Sequence, residues 1–269
     1  MTGWTLEPWV ILPLLIGGLM FALGFGRLHA RSGHGSGGLR RRAVLFALGW
    51  LVLAGAVVSP LHELGEHDFT AHMIEHELMM LAAAPLLVAS EPLAIMLWAF
   101  PAGGRRALGE TSKSGWTAVP WRTLTDPLIA TVVQAAVLWL WHAPALFDLA
   151  LEHDGWHIAQ HLSFLVSALF FWSAMFHRRR NAGVAAGCLF VTSLIGGALG
   201  AFMAVSQSPW YGPYAALGMT PMGLTPAEDQ QLAGLIMWIP GGMFHALFAL
   251  AFVGAMLRGK PGEASHAHS

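Results

Sequence analysis

Seven stretches of this chain are each long and apolar enough to cross a lipid bilayer, and nothing else in the sequence restricts its fold so severely. A helix needs about 20 mostly apolar residues to traverse the hydrocarbon core. Residues 9–28, 43–61, 71–90, 127–147, 157–177, 184–206 and 231–257 meet that condition. Inside the bilayer no water is available to the backbone, so a spanning segment must satisfy its own amides, as a helix does. The predicted fold is therefore all-α: one membrane domain over residues 1–269, a polytopic bundle of seven transmembrane helices. Only 11% of the residues are charged, against about 25% in soluble domains. A shorter apolar piece, Leu93 to Phe100, follows Glu91-Pro92 and ends at Pro101; it is predicted as an interfacial or buried half-helix. Residues 1–7 carry no basic residue ahead of the first apolar run and no small-residue cleavage site, so the first helix is expected to stay attached. The single cysteine, Cys188, excludes an internal disulfide and a cysteine-rich metal site.

Charge is distributed by loop. Arg27, Arg31, Arg40, Arg41 and Arg42 follow the first span, and Arg105, Arg106, Lys113 and Arg122 follow the third. Arg178, Arg179 and Arg180 follow the fifth, and Arg258 and Lys260 follow the seventh. These are all 14 basic residues. The opposite loops carry Glu7, Glu63, Glu66, Asp68, Asp148, Glu152, Asp154, Glu228 and Asp229 and no basic residue. The positive-inside rule makes the basic loops cytoplasmic. The N-terminus is then outside and the C-terminus inside, with residues 258–269 as a cytoplasmic tail.

Within that frame the histidines converge. His72 and His76 open the third span, His157 and His161 open the fifth, and His142 closes the fourth, all at the outer side. Residues four apart lie one above the other on a helix face, so each pair presents two imidazoles to one ligand. Ionisable groups inside a span are costly and tend to face a cavity or the bundle interior. The pairs also belong to a repeat. Glu66-His67-Asp68, three residues, His72, three residues and His76 correspond to Glu152-His153-Asp154, two residues, His157, three residues and His161. Ser59-Pro60-Leu61 likewise corresponds to His142-Ala143-Pro144. The two hairpins run in the same direction, which indicates a parallel two-helix repeat.

Gln134, Leu138 and His142 share a face of the fourth span. His245 lies deeper, after Trp238-Ile239-Pro240-Gly241-Gly242-Met243, where proline and two glycines open a helix and free carbonyls. Of the two glutamates flanking His76, Glu75 is the better accessory group, because Gln160 occupies its place in the repeat. In the sixth span, Gly196-x3-Gly200 reads as close helix packing. Trp210, Tyr211 and Tyr214, in the outer loop 207–231, read as an interfacial aromatic belt. His62, His67 and His153 are as consistent with solvated loop positions as with a site, and for His29, His34, His177, His266 and His268 solvation is the favoured reading.

Neutral imidazole suits copper, zinc, iron and nickel, and thioether sulfur tilts the choice to Cu(I). Met73, Met237 and Met243 lie near candidate histidines, although methionine is equally ordinary core. Haem is the main competitor, since two helices can each supply an axial histidine. No nucleotide-binding loop is present, which removes ATP-driven pumping. A metal-dependent membrane enzyme ranks last, because the order is His72-Met73-Ile74-Glu75-His76 and not His-Glu-x-x-His.

The two His-x3-His pairs, His142-x-Pro144, and Asp229-Gln230-Gln231-x2-Gly234-x2-Met237-Trp238-x-Pro240-Gly241 together resemble the CtaG-type assembly factors of bacterial cytochrome c oxidase. This is the seven-helix family of the caa-type oxidases, distinct from the single-span copper chaperone of the same label. The resemblance covers roughly residues 9–257. It implies a non-enzymatic assembly factor in the bacterial inner membrane that supplies copper to the oxidase. Its implied partners are the catalytic subunit or other assembly factors and the lipid bilayer, with no nucleic acid. The metal ligands expected are His72, His76, His157 and His161 with His142 and His245, supported by Glu75, Gln160, Met73, Met237, Met243 and Asp229.

Overall fold

A computed structural model describes residues 3–32, 37–177 and 182–258. Arg178, Arg179, Arg180, Lys260 and the tail beyond Arg258 lie outside the described residues. Every regular element among those described is helical. They are α1 (Pro8–Ser32), α2 (Gly37–Val58), α3 (Pro60–Gly65), α4 (Phe69–Ala89), α5 (Pro92–Met96), α6 (Ala102–Lys113), α7 (Gly115–Leu124), α8 (Pro127–Trp141), α9 (Pro144–Glu152), α10 (Asp154–His177), α11 (Ala182–Val205), α12 (Gly212–Leu217) and α13 (Pro226–Arg258). Among the described residues, α1, α2, α4, α10, α11 and α13 are each long and apolar enough to cross a bilayer.

The predicted span at 127–147 is shorter than expected. Helix α8 has 15 residues, about 22 Å at 1.5 Å per residue, and joins α7 at a 74° bend. It stops at Trp141 because Pro144 opens a new helix. A proline disfavours helical backbone in the residue before it, and Ala143 is extended, with φ −62° and ψ 127°.

Helix starts follow their caps. The side chain of Asp126 accepts from the backbone of Leu128 and Ile129, Ser59 from Leu61, and Asp68 from Ala71. Thr225 and Glu228 form a capping box. Such contacts satisfy the first amides of a helix, which have no partner within it.

α4 is the central helix. The share of its apolar window buried in the bundle is 72%, against 11% for α1 and 22% for α2. It packs on α2, α10 and α13. A π-helical turn occupies Leu78–Ala83 in α4, and another occupies Met237–Gly241 in α13. Side chains take up carbonyls at both turns: Trp172 Nε1 donates to Met80 O at 2.9 Å, and Ser193 Oγ to Gly242 O at 2.9 Å.

The two repeats share an element order. In α2–α3–α4 and in α8–α9–α10, a long or bent helix leads to a short helix headed by proline and then to a span whose fourth residue is the first paired histidine. His72 stands in a helix starting at Phe69, and His157 in one starting at Asp154. At the far end of α4, Arg42 pairs with Glu91 at 2.8 Å. Arg27 donates to Trp98 O and Ala99 O, and Arg31 and Arg105 lie over the Trp98 ring. The basic loops after α1 and α4 therefore meet on one side, away from the paired histidines.

Candidate metal centre

Five imidazoles meet where α3, α4 and α10 come together. The His72 and His76 rings are 4.4 Å apart and the His157 and His161 rings 4.3 Å, the separation that i, i+4 spacing imposes. The two pairs face each other. His72 lies 5.3 Å from His157 and 5.7 Å from His161, and His76 lies 4.9 Å from His161. His62, from α3, stacks on His157 at 5.3 Å and sits edge-on to His161 at 5.6 Å. One nitrogen from each of His72, His157 and His161 falls within 4.8 Å of the others, as do His62, Glu75 and His161.

The hydrogen bonds decide which nitrogens face inward. Tyr214 donates its hydroxyl hydrogen to Gly65 O, so its oxygen accepts from His72 Nδ1 at 3.0 Å. Burial pushes the Tyr214 phenol well above 10, with repulsion from Asp229 and Glu75 adding to it, so the group stays a donor. His72 Nδ1 then carries the hydrogen, and Nε2 presents a lone pair 3.0 Å from His76 Nε2. Two imidazole nitrogens on one tetrahedral ion, at 2.0–2.1 Å each, stand about 3.3 Å apart, so a small movement would seat an ion there.

Glu75 orients two more rings. Its Oε1 is 2.8 Å from His62 Nδ1 and 3.4 Å from His161 Nδ1. His161 Nε2 is buried and unbonded, as is His157 Nε2. A carboxylate on the outer nitrogen of a ligating imidazole fixes its tautomer and raises its basicity. Burial opposes charge on His62, but the bonded Glu75 carboxylate, with Glu66 and Glu7 behind it, outweighs burial and holds this imidazole above 6.5.

His142 stands beside the cluster. It shares Phe147 with His72 and Phe164 with His76. Its Nδ1 is 2.7 Å from Leu138 O, which leaves a buried, unbonded Nε2. Asp229 acts from α13 on the helix that carries the site. Its carboxylate accepts from Phe69 N at 2.7 Å, Thr70 N at 3.0 Å and Thr70 Oγ1 at 2.5 Å, clamping the first turn of α4. Gln160 is fully buried next to His161, and its amide makes no hydrogen bond among the described residues.

Other expected members stand apart. His245 packs on Trp172, with ring centroids 5.8 Å apart, and not on the cluster. Met73 and Met237 lie in an apolar core with Phe69, Leu199 and Met203. Met243 is 58% exposed on the outside of the bundle. Thioethers therefore give the histidine cluster no sulfur from these three positions. Tyr211 and Tyr214 are buried at 2% and 6% exposure against Phe69 and Phe147, which corrects their reading as an interfacial belt. Tyr211 also donates to His142 O, so the segment that carries these two tyrosines roofs the site. Two residues at the cluster are not among the ligands expected from the sequence: His62, which is as consistent there with a solvated loop as with a site, and Tyr214, which the sequence assigns to an aromatic belt. The place of His62 just after Ser59-Pro60, at the head of the outer turn, was the available signal for it.

A groove of about 680 Å³ opens beside the cluster, lined by His62, His157 and His161 and by the acidic residues Glu7, Glu63, Glu66 and Asp154. Carboxylates around a low-dielectric cleft concentrate cations at its mouth. The arrangement suits a transition-metal cation: nitrogen donors preset by their outer hydrogen bonds, reached through an acidic opening. The family model described as cytochrome c oxidase caa3 assembly factor matches residues 19–259. No curated protein and no solved structure matches the chain.

Proposed function

We propose, from the premise that this chain belongs to the cytochrome c oxidase caa3 assembly factor family, that it binds copper at the five-histidine cluster and supports maturation of a copper centre in the oxidase. The family makes it a cytochrome c oxidase assembly factor, and its apolar helices make it a multi-pass membrane protein. Copper is the inference added here, and the observation that carries it is the convergence of one nitrogen each from His72, His157 and His161, with His76 Nε2 3.0 Å from His72 Nε2. The ion is cargo in this reading. His72, His157 and His161 hold it first, His76 lies next to His72, and Glu75 keeps two rings in register.

Nitrogen donors alone admit zinc as readily as copper. The family role favours copper, because a membrane oxidase must receive its copper within or beside the bilayer. Haem is disfavoured by packing: rings 4.3–5.7 Å apart leave no slot for a macrocycle between them. With the basic loops cytoplasmic, the cluster and its acidic groove face outward, N-terminus outside and C-terminus inside. The membrane is then the bacterial inner membrane, and the client is the oxidase's catalytic subunit or another assembly factor.

Elemental analysis of the purified protein, taken with its visible spectrum, tests the reading. Stoichiometric copper without a Soret band supports it, and haem, or zinc alone under copper-replete conditions, overturns it. The double variant His72→Ala/His76→Ala should lose metal and oxidase maturation while remaining inserted in the membrane. A metal-free wild type whose double variant still matures the oxidase would leave a scaffold acting through helix contacts.

A further inference from the structure

A second polar constellation lies on the opposite side of α4, further from the outer helices than the histidine cluster. Glu77, Gln134 and His245 line one cavity of about 40 Å³ between α4, α8, α11 and α13. This is room for one ion or about three waters, as about 10–15 Å³ in this measure holds one water. The cavity is built from irregular backbone. Glu77 immediately precedes the π turn of α4, and Gly241 ends the π turn of α13. π turns within α-helices recur at functional sites. A Cβ on Gly241 would lie 2.8 Å from Glu77 Oε2 and 3.2 Å from Oε1, so the missing side chain at 241 is what admits the carboxylate.

The unpartnered atoms at this cavity are acceptors. His245 Nδ1 lies 2.9 Å from Gly241 O, which can only accept, so Nδ1 carries the hydrogen and Nε2 offers a lone pair. Among the described residues that Nε2 is buried with no partner, and so are Gln134 Oε1 and Glu77 Oε2. Gln134 and His245 are 4% and 8% exposed. The nearby hydroxyls add lone pairs and not hydrogens, since Ser193 donates to Gly242 O and Thr192 to Cys188 O. Among the described residues no Lys or Arg lines the cavity. A carboxylate in such surroundings is costly unless a cation accompanies it.

We propose that this cavity is a second cation site and that its occupant is Cu(I), held by His245 and the Met80 and Met237 thioethers, with the Glu77 carboxylate balancing its charge. One carboxylate balances one positive charge, which favours a monovalent ion over Zn²⁺ where hydrocarbon surrounds the site. Met80 and Met237 also line the cavity, and a combination of imidazole and thioether suits Cu(I) better than Na⁺. Gln134 supplies an amide oxygen on the third side. The argument is independent of the metal held by the outer cluster.

The test is Cu(I) stoichiometry of the full-length protein, purified in detergent, loaded anaerobically with a reductant present and stripped of loose metal by a Cu(I) chelator. Glu77→Gln and His245→Ala should each lose one equivalent relative to wild type, and Gly241→Ala should lose the same one by displacing the carboxylate. His72→Ala/His76→Ala should keep that equivalent and lose copper elsewhere. In that double variant, X-ray absorption at the copper edge should report sulfur beside nitrogen and oxygen. Unchanged stoichiometry in both Glu77→Gln and His245→Ala overturns the second site. Retention of Zn²⁺ or Na⁺ in place of Cu(I) by the double variant overturns the copper assignment. Failure of the outer cluster reads separately, as a His72→Ala/His76→Ala variant that holds as much copper as wild type. Should Glu77→Gln fail to insert, His245→Ala and Gly241→Ala carry the same comparison.

Discussion

Replacing Glu75 by glutamine isolates the electrostatic part of the histidine site with almost no change of shape. The carboxylate bonds His62 Nδ1 at 2.8 Å and His161 Nδ1 at 3.4 Å through the same oxygen. Hydrogen bonds to an ionised acceptor are roughly twice as strong as neutral ones, and glutamine can still accept one hydrogen through its amide oxygen. Changing the outer partner of a ligating imidazole costs about 10–100-fold in metal affinity, or about 1.4–2.8 kcal/mol. Of the three nitrogens that converge most closely, from His72, His157 and His161, only His161 leans on Glu75, and at the longer distance. Glu75→Gln should therefore fall near the lower end, about tenfold, and Glu75→Ala, which frees both rings, near about 100-fold. The assay is competition for Cu(I) against a coloured chelator, on detergent-purified protein whose elution volume and helical signal match wild type. Glu66→Gln is the control, since Glu66 lines the groove but its side chain bonds no histidine. If Glu75→Gln binds as wild type does, or if Glu66→Gln costs as much, Glu75 contributes only to the general field and its orienting role is refuted.

Asp229→Ala removes three hydrogen bonds from the first turn of α4 and should cost about 2–3 kcal/mol, as expected for a buried charged cap; thermal unfolding of the metal-free protein measures it, and Asp229→Asn should recover roughly half. Gly234→Ala would place a Cβ 2.5 Å from Gly200 O and 2.6 Å from Ala204 N, whereas at Gly196 the nearest atom is Leu138 Cδ2 at 3.7 Å. The first should lower stability by about 1–3 kcal/mol through overpacking and the second by much less, so equal losses would contradict the close crossing of α11 and α13. Copper affinity should fall as pH drops, because protons compete with the metal for the imidazole nitrogens and the ligating rings must be neutral. In the metal-free protein the His62–Glu75 pair alone contributes in the opposite sense. The folded value of His62 is raised above 6.5, so its pairing with Glu75 stabilises fully below 6.5 and is lost as pH rises through that raised value. His62→Ala should remove this slope in thermal unfolding and leave the slope of copper affinity in place.

What the sequence reveals and conceals here divides along the range of the interactions. Most spans and the paired histidines depend on neighbours within a few residues, so hydropathy and i, i+4 spacing place them close to where they stand. The tertiary partners had no such signature. His62 reaches Glu75 across a turn, and Tyr214 reaches His72 from a loop far along the chain. Asp229 stood out within a motif, but its task, holding the first turn of α4 from another span, depends on how α13 is docked.

Met73 teaches a stricter lesson, because its turn away from the histidine face was available from helix geometry. Consecutive helical residues point about 100° apart, so Met73 cannot share the face of His72, whereas Glu75 at i+3 and His76 at i+4 can. The structure divides α4 along that line. His72, Glu75 and His76 face α3 and α10, while Met73 packs with Met237, and Glu77 and Met80 line the deep cavity beside His245. A helix bearing polar groups on two faces cannot turn either one to lipid without exposing an ionisable side chain to hydrocarbon. That requirement explains why α4, among the candidate spans, is the one most enclosed by the others. Glu77 is thus no spare member of the histidine site: its carboxylate rests on Gly241 of α13, two residues from Glu75 in sequence and on the other side of the helix in space.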